Sequence, residues 1–408
     1  MAISENWNGY VAIKKQSAKG TQANGADGLI LWNSGGQGGK LSKAAIESGI
    51  IRHDAQQLRG RHGSLATSGS YSSELGIGRA DPVLAAIMRN NWAAPLTNTQ
   101  TINVAIGTGP SRLVAPAGDW ITKGLRVGDV IRPSGLSNAA NNGRNLTITA
   151  LTATTITVAE TLVETTGAEM AFSIVRPGRK LINSAAGGLL KSYFTVEEYE
   201  YDLDASELFT DCVWSRFTLR MQPDGNLETE MAWTGTGRAE TVTGGAAPHF
   251  TAPSDPTALS LVATEASIML NGSTVVDLTA FDLTIDLQAS APKVINATGI
   301  SPDVFLGTFR PALNLTILRS DLQALADFKA ETQLSLHLMA TENESEPKDF
   351  FSLYLGNFTL GDVAKSAMQK GGGARTVTLQ VPAELVGKDT RGGAFDATTM
   401  KIQVSNAS

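Results

Sequence analysis

The chain has 408 residues, of which 42% are hydrophobic and 18% charged, with 41 glycines and a formal net charge of −6. This composition is typical of a folded, loop-rich protein, and the length leaves room for two or three domains. The mild negative charge argues against a nucleic-acid binder that works through a basic surface. The single cysteine, Cys212, excludes an internal disulfide, and the sequence predicts neither a signal peptide nor a membrane span.

The first 45 residues are polar and glycine-rich, with a short apolar run at residues 29–32, and they predict an extended arm with one or two short strands. Residues 35–40 read Gly-Gly-Gln-Gly-Gly-Lys and superficially match a phosphate-binding loop. Ser34 stands where that motif needs its first glycine, and Leu41 stands where it needs serine or threonine. The stretch therefore predicts a flexible loop and not a nucleotide site.

A strand at residues 68–75 and a helix at residues 81–91 begin a compact domain. Asp81 suits the N-cap position of the helix and Pro82 its first helical position. Apolar residues recur at helical spacing and predict one buried face: Val83, Leu84, Ile87 and Met88. From about residue 98 the chain changes to short strands rich in threonine, valine and isoleucine, with an Asn-Gly turn, which predicts a small inserted all-β domain.

The earlier pattern resumes with a strand at residues 193–202 and a hairpin of two strands at 213–221 and 227–234. Phe217, Leu219 and Met221 alternate with polar residues in this hairpin, so one face is predicted to be buried.

The same order of strands and helix then recurs, which predicts an internal repeat. The second set has strands at 275–287, 304–318, 333–340, 351–360 and 375–382, and a helix at 321–330 capped by Ser320 or Asp321. The predicted domains are a first domain of residues 1–97 and 181–245 with the arm at 1–45, an inserted domain of 98–180, and a second domain of 246–408.

Residue patterns for catalysis or metal binding are missing from the sequence. None of His53, His62, His249 and His337 has metal-ligand spacing with other ligating residues. No nucleophile elbow or dinucleotide motif occurs, and Cys212 lies in a strand-like segment typical of a core position. The sequence therefore predicts no catalytic, cofactor or metal site, no cofactor, and a protein that is not an enzyme.

Pairs of carboxylates share one face of a single predicted strand. The pairs are Glu198 and Glu200, Glu228 and Glu230, and Asp282 and Asp286, and Glu197 is predicted to face away from the first pair. Catalytic carboxylates usually converge from different elements, so these rows predict a charged wall. Two interpretations remain open, a plain solvated sheet face and an acidic channel surface that repels DNA phosphates.

The order of motifs resembles that of the major tail tube proteins of siphophages. The most specific match is the strand at 68–75 followed by the helix from Asp81. The resemblance covers roughly residues 8–97 and 190–390, and the insertion departs from the minimal pattern. The collinear segments that carry it are residues 10–23, 46–54, 68–75, 81–92, 193–198 and 213–234.

The resemblance implies a mainly β fold with two tandem β-sandwich or half-barrel domains of tail tube type, each with a flanking helix, plus the inserted domain. It implies rings whose inner strands join into one lumenal barrel, with loops and arms, here residues 14–45, reaching the next ring. A trimer with pseudo-sixfold symmetry is favoured over a hexamer. The partners implied are the tape-measure, tail-terminator and tail-tip proteins, and DNA that passes transiently, with assembly in the host cytoplasm and no membrane contact.

Two other interpretations stay open. A tail-tip or baseplate ring protein would share the fold, and a receptor- or carbohydrate-binding β protein would use the insertion as its binding module. The six lumen-facing candidates are Glu198, Glu200, Glu228, Glu230, Asp282 and Asp286.

Overall fold

The computed structural model describes residues 5, 7–99, 105–107, 111–115, 118–163, 172–184, 188–275, 277–295, 298–343 and 345–405. Within these ranges the chain forms three sheets whose named strands pair antiparallel, together with two short α-helices. The predicted mainly β fold class is confirmed.

The strands and helices follow one another in this order: β1 (Gly9–Lys15), β2 (Leu29–Leu31), β3 (Gly35–Ile46), β4 (Arg61–Glu74), α1 (Asp81–Met88), β5 (Leu96–Thr99), β6 (Ala105–Gly107), β7 (Arg112–Val114), β8 (Val130–Ser134), β9 (Leu146–Leu151), β10 (Thr155–Val158), β11 (Ser173–Arg176), β12 (Arg179–Ile182), β13 (Phe194–Glu200), β14 (Ala205–Met221), β15 (Glu228–Gly235), β16 (Arg238–Thr243), β17 (Ala266–Leu270), β18 (Ser273–Thr274), β19 (Leu278–Asp286), β20 (Arg310–Leu318), α2 (Gln323–Lys329), β21 (Leu334–Thr341), β22 (Phe350–Phe358), β23 (Asp362–Lys365), β24 (Thr376–Val381) and β25 (Met400–Ser405).

The largest sheet has twelve strands and is organised around β14, which is 17 residues long. The first half of β14 pairs with β13 and β16, and the second half pairs with β15 and β19. Eight strands follow one another through the second half, in the order β3-β4-β15-β14-β19-β20-β24-β23. We call this order the eight-strand path.

Two smaller sheets complete the fold. A six-stranded sheet has the order β12-β25-β22-β21-β17-β18, and a seven-stranded sheet is formed entirely by strands between residues 96 and 176. Apart from Leu96 and Thr97, the strands of this seven-stranded sheet lie within the segment of residues 98–180 where the sequence predicts an insertion. The domain limits themselves remain a prediction.

Strand connectivity in the first part of the chain recurs in the second. The order β2-β1-β13-β14-β16 corresponds to β18-β17-β21-β22-β25, and β3-β4-β15-β14 corresponds to β19-β20-β24-β23. A register shift falls between Phe194 and Val196 in one set and between Leu334 and Leu336 in the other. β-Bulges are specific local features, so a bulge at matching places supports a repeated unit.

Alternation of side chains places the core between the sheets. Phe217 and Leu219 of β14 are fully buried, whereas Arg216 and Arg220 on either side of them are exposed on the opposite face, as a period of two requires. Helix α1 buries its apolar face in the same core. The seven-stranded sheet has a separate core around Trp120 and Phe172.

Several local predictions about the two helices and the glycine-rich segment are wrong. Helix α1 ends at Met88 because Arg89 adopts a left-handed conformation with φ of 55°, and Asp81 is the first helical residue instead of the N-cap, which is Ala80. Helix α2 is shorter than predicted; its N-cap is Leu322, although Asp321 Oδ1 still accepts a bond from the Gln323 amide at 3.0 Å.

Residues 35–40 form the first half of β3 and are not a flexible loop. Close packing requires a glycine at position 39, because a Cβ atom there would overlap the ring of Phe209.

Candidate functional site

One face of the eight-strand path is polar along its whole middle. Glu228 and Glu230 of β15 and Asp282 and Asp286 of β19 share this face, as their strand parity predicts. Strand β14 lies between these two strands. Its contributions to the same face are Arg216, Thr218 and Arg220.

Arginines therefore separate the two acidic rows. Arg220 lies opposite Glu228 on one side and opposite Asp282 on the other, and its Nε is 3.1 Å from Asp282 Oδ2. Glu230 Oε2 is 3.9 Å from Arg220 Nη1 and 4.0 Å from Arg216 Nη2. These side chains are half exposed, so each pair contributes at most about 1 kcal/mol.

Four carboxylates and two arginines leave this part of the face with a surplus of negative charge. The predicted row of acids is present, but it is neutralised in part by cations that sequence spacing within one strand does not reveal. The rest of the face carries small hydroxyl and amide side chains, among them Ser70, Ser72, Thr284, Asn314 and Gln380, together with Glu74 opposite Glu228 and Arg310 opposite Asp286.

Glu198 and Glu200 do not join this face, because β13 pairs with the other half of β14. Glu198 Oε1 accepts hydrogen bonds from the Tyr71 hydroxyl at 2.6 Å and from the Gly39 amide at 2.5 Å. Burial and the nearby Glu198 carboxylate raise the pKa of Tyr71 well above its usual value. Glu200 lines a separate open concavity of about 920 Å³ beside Trp32.

Glu197 faces away from this pair, as predicted, and it is fully buried. Its carboxylate accepts bonds from the His249 amide at 2.6 Å, the Phe250 amide at 2.9 Å and the Ser206 hydroxyl at 2.6 Å. The Glu197 side chain therefore holds the segment around His249 and Phe250 against the sheet through hydrogen bonds, which is a structural role.

The eight-strand path ends in two strands that have one ladder partner each in the described part of the chain, β3 and β23. Unpaired strand edges bind further strands readily. Large apolar side chains are exposed along β3 and in the loop after it: Leu41, Ile46, Ile50 and Ile51. Helix α2 has no buried residue, unlike α1; its Phe328 and its N-cap residue Leu322 are also exposed.

These edges and apolar residues were not found from the sequence. Exposure of a leucine depends on which strands lie beside it, and the local pattern carries no signal of that.

Features of catalytic sites are sparse in the described residues. They include no group of three or more His, Cys, Asp or Glu side chains that could hold a metal. None of the helices within the described ranges is long and apolar enough to cross a membrane. Cys212 is buried in the core as predicted, and burial raises its thiol pKa well above the usual value.

A family model described as phage tail tube protein matches residues 6–385, nearly the whole chain. The chain belongs to the phage tail tube protein family. This tail tube protein is accordingly a structural component of a phage tail, and its mainly β sheets agree with that class. A comparison with curated proteins found no match.

Proposed function

We propose that this tail tube protein closes into rings, that the rings stack into the hollow tail, and that DNA passes along the polar face during ejection. The observation that carries the proposal is the eight-strand path, which is polar on one face, buried on the other, and unpaired at both ends. Joining these ends between copies would remove both edges and leave one continuous wall.

The width of such a wall favours three copies. Eight strands per chain give twenty-four strands in a trimer. With strands about 4.8 Å apart and tilted by about 40°, the backbones would stand about 50 Å apart across the ring. Six copies would give about 100 Å on the same reasoning, far more than a double helix requires.

The chemistry of the polar face suits passage without binding. Its surplus of carboxylates repels DNA phosphates, and its hydroxyl and amide side chains carry no positive charge that would attract them. Arg216 and Arg220 are paired with carboxylates, so they are less available to bind DNA phosphates and displace their condensed counterions.

The proposal includes a tape-measure protein inside the tube before DNA enters, with terminator and tip proteins at the ends and assembly in the host cytoplasm. The exposed apolar residues after β3 would contact the neighbouring ring, since several exposed apolar residues close together in the chain are typical of an interaction surface.

Electron microscopy of the purified protein tests the ring. We expect hollow tubes or rings with threefold symmetry at high concentration. A protein that stays monomeric under all conditions, or rings present once per phage particle, would contradict a tail tube role.

A charge series tests the lumenal face. Replacing Glu228, Glu230, Asp282 and Asp286 by lysine should leave tubes that eject DNA more slowly, with the effect reduced at high salt. The matched control is Glu240→Lys, since Glu240 is exposed on β16, outside the eight-strand path. Normal ejection by the four-site variant would refute a channel role for these four residues. It would not contradict the ring itself.

A further inference from the structure

We propose that β23 of one copy pairs antiparallel with β3 of the next, with Val363 opposite Leu41 and Ala364 opposite Lys40. The inference rests on the ring described above and specifies its joint. The chain already contains an internal equivalent of this pairing, because β14 and β19 pair antiparallel in the middle of the eight-strand path.

The repeat makes the free edges equivalent to this internal joint. Strand β14 is the last strand of the first set of four and β19 is the first strand of the second set. By the same order β23 is the last strand of the second set, and β3 is the first strand of the first set. Within the chain, the last strand of the first set, β14, therefore pairs with the first strand of the second set, β19. The equivalent pairing of β23 with β3 can form only between two copies.

The shared bulge fixes which residues of β14 and β23 correspond. Cys212 lies opposite Phe194 at the bulge of the first set, and Phe358 lies opposite Leu334 at that of the second. Arg216 stands four residues after Cys212, and Asp362 stands four residues after Phe358. Arg216 therefore corresponds to Asp362.

The pairing of neighbouring strands extends this correspondence from β14 and β23 to β3 and β19. From Arg216 the cross-strand partners are Ala232, Ser70 and Gly38 in turn. From Asp362 they are Gln380, Asn314 and Asp282 in turn. Gly38 therefore corresponds to Asp282, so Lys40 corresponds to Thr284 and Ser42 to Asp286.

Transferring the internal pairs gives the pairs between chains. The internal pairs are Arg216 with Asp286, Phe217 with Ile285, and Thr218 with Thr284. The corresponding pairs between copies are Asp362 with Ser42, Val363 with Leu41, and Ala364 with Lys40.

The side chains at these positions fit the pairing. Leu41 is 45% exposed in the single chain, whereas its counterpart Ile285 is fully buried against β14. Val363 would cover Leu41 as Phe217 covers Ile285, and this contact would remove an exposed leucine from water. On the opposite face Asp362 would lie diagonal to Lys40, within reach of an ion pair.

The pairing is short. Strand β23 ends at Lys365, which would lie opposite Gly39. The Gly39 amide already donates to Glu198, so that carboxylate marks one end of the available edge.

Cysteine pairs test the register in the full-length protein. The designed pair is Lys40→Cys with Ala364→Cys, since the hydroxyl oxygens of the equivalent Thr218 and Thr284 are only 3.3 Å apart. The matched control, Lys40→Cys with Asp362→Cys, keeps the same face but shifts the register by two residues. Diagonal neighbours are about 7–8 Å apart, which is too far for a disulfide.

Tubes are oxidised and the chains are separated on a non-reducing gel. We expect about tenfold more linked chains for the designed pair than for the shifted pair. Thr218→Cys with Thr284→Cys should form a link within one chain and serves as the positive control. Cys212 is buried and should not contribute.

Linking of the shifted pair, or of neither pair while the positive control links, would overturn the proposed register. Should the cysteine variants fail to form tubes, charge reversal decides. Asp362→Lys should weaken assembly and the added Lys40→Asp should restore it; no restoration would also overturn the pairing. Failure of the unmodified chain to form tubes would refute the ring itself, which is a separate result.

Discussion

Replacing Lys401 by methionine should destabilise the protein strongly, because this lysine belongs to a buried cluster of four charges. Lys401 Nζ lies 2.9 Å from Asp129 Oδ1 and 2.8 Å from Asp396 Oδ2, and it also donates to the Val127 carbonyl at 2.7 Å. Lys180 Nζ contacts the same two carboxylates at 2.9 and 2.6 Å. The cluster joins the loop before β8 to β12 and β25, and so attaches the seven-stranded sheet to the six-stranded sheet.

Methionine at this position fills a similar volume but leaves two buried carboxylates with one lysine. Removing one partner of a buried ion pair typically costs about 3–5 kcal/mol. With an unfolding entropy of about 2.1 cal/mol/K per residue for 408 residues, this predicts a fall in Tm of about 4–6 °C when the chain unfolds as one unit. Circular dichroism melting at pH 7 measures it.

Lys370→Met is the matched control, because Lys370 is exposed and its loss should change stability by less than about 0.5 kcal/mol. Adding Asp129→Asn to Lys401→Met should recover part of the loss, since it removes the surplus negative charge. Equal melting temperatures for Lys401→Met and Lys370→Met would refute the reasoning that the cluster holds the two sheets together.

The pH dependence of this cluster has a defined sign. Burial alone would raise the pKa of Asp129, but Lys180 and Lys401 outweigh it and hold the pKa below its usual value. Its stabilising contribution is therefore present above the unfolded-state pKa and is lost as the pH falls through the lower folded-state value. The unmodified protein should lose more stability than Lys401→Met in that acid range.

Three further changes give distinct outcomes. Glu197→Gln should cost about 1–3 kcal/mol in urea unfolding, because the His249 and Phe250 amides lose a charged acceptor, and an unchanged midpoint would contradict this role. Gly39→Ala should cost about 1–3 kcal/mol through overlap with Phe209, while Gly245→Ala, whose added methyl group meets open space, should be neutral. Burial lowers the pKa of His337 to about 3. As the pH falls below about 6.5, the unfolded chain therefore binds a proton at His337 that the folded protein does not, and the protein loses stability. The loss of Tm between pH 7 and 5 should be smaller in His337→Gln, and an identical loss would contradict that assignment.

Local alternation made the strands of the hairpin predictable. The pattern at Phe217, Leu219 and Met221 depends only on the two-residue period, and the predicted return strand at 227–234 lies within one residue of the observed Glu228–Gly235. The same parity correctly placed Glu228 with Glu230 and Asp282 with Asp286.

The sequence did not reveal which strands lie next to one another in the sheet. Strand β14 lies between the two acidic strands, so Arg216 and Arg220 enter the acidic face, whereas β13 takes Glu198 and Glu200 away from it. The glycine-rich β3 was missed for a related reason. Glycine disfavours strands locally, and tertiary packing explains it at two positions of β3: a Cβ atom at Gly39 would overlap the Phe209 ring, and one at Gly36 would overlap the Ser70 carbonyl oxygen.

The most direct measurement of the central claim is a cryo-electron microscopy map of the assembled tube in which individual strands are traced. We expect three chains per ring and twenty-four strands around the channel, with the face that carries Glu230 and Asp282 turned inward. A channel lined by the seven-stranded sheet, or a face with Glu230 and Asp282 on the outside of the tube, would contradict the account.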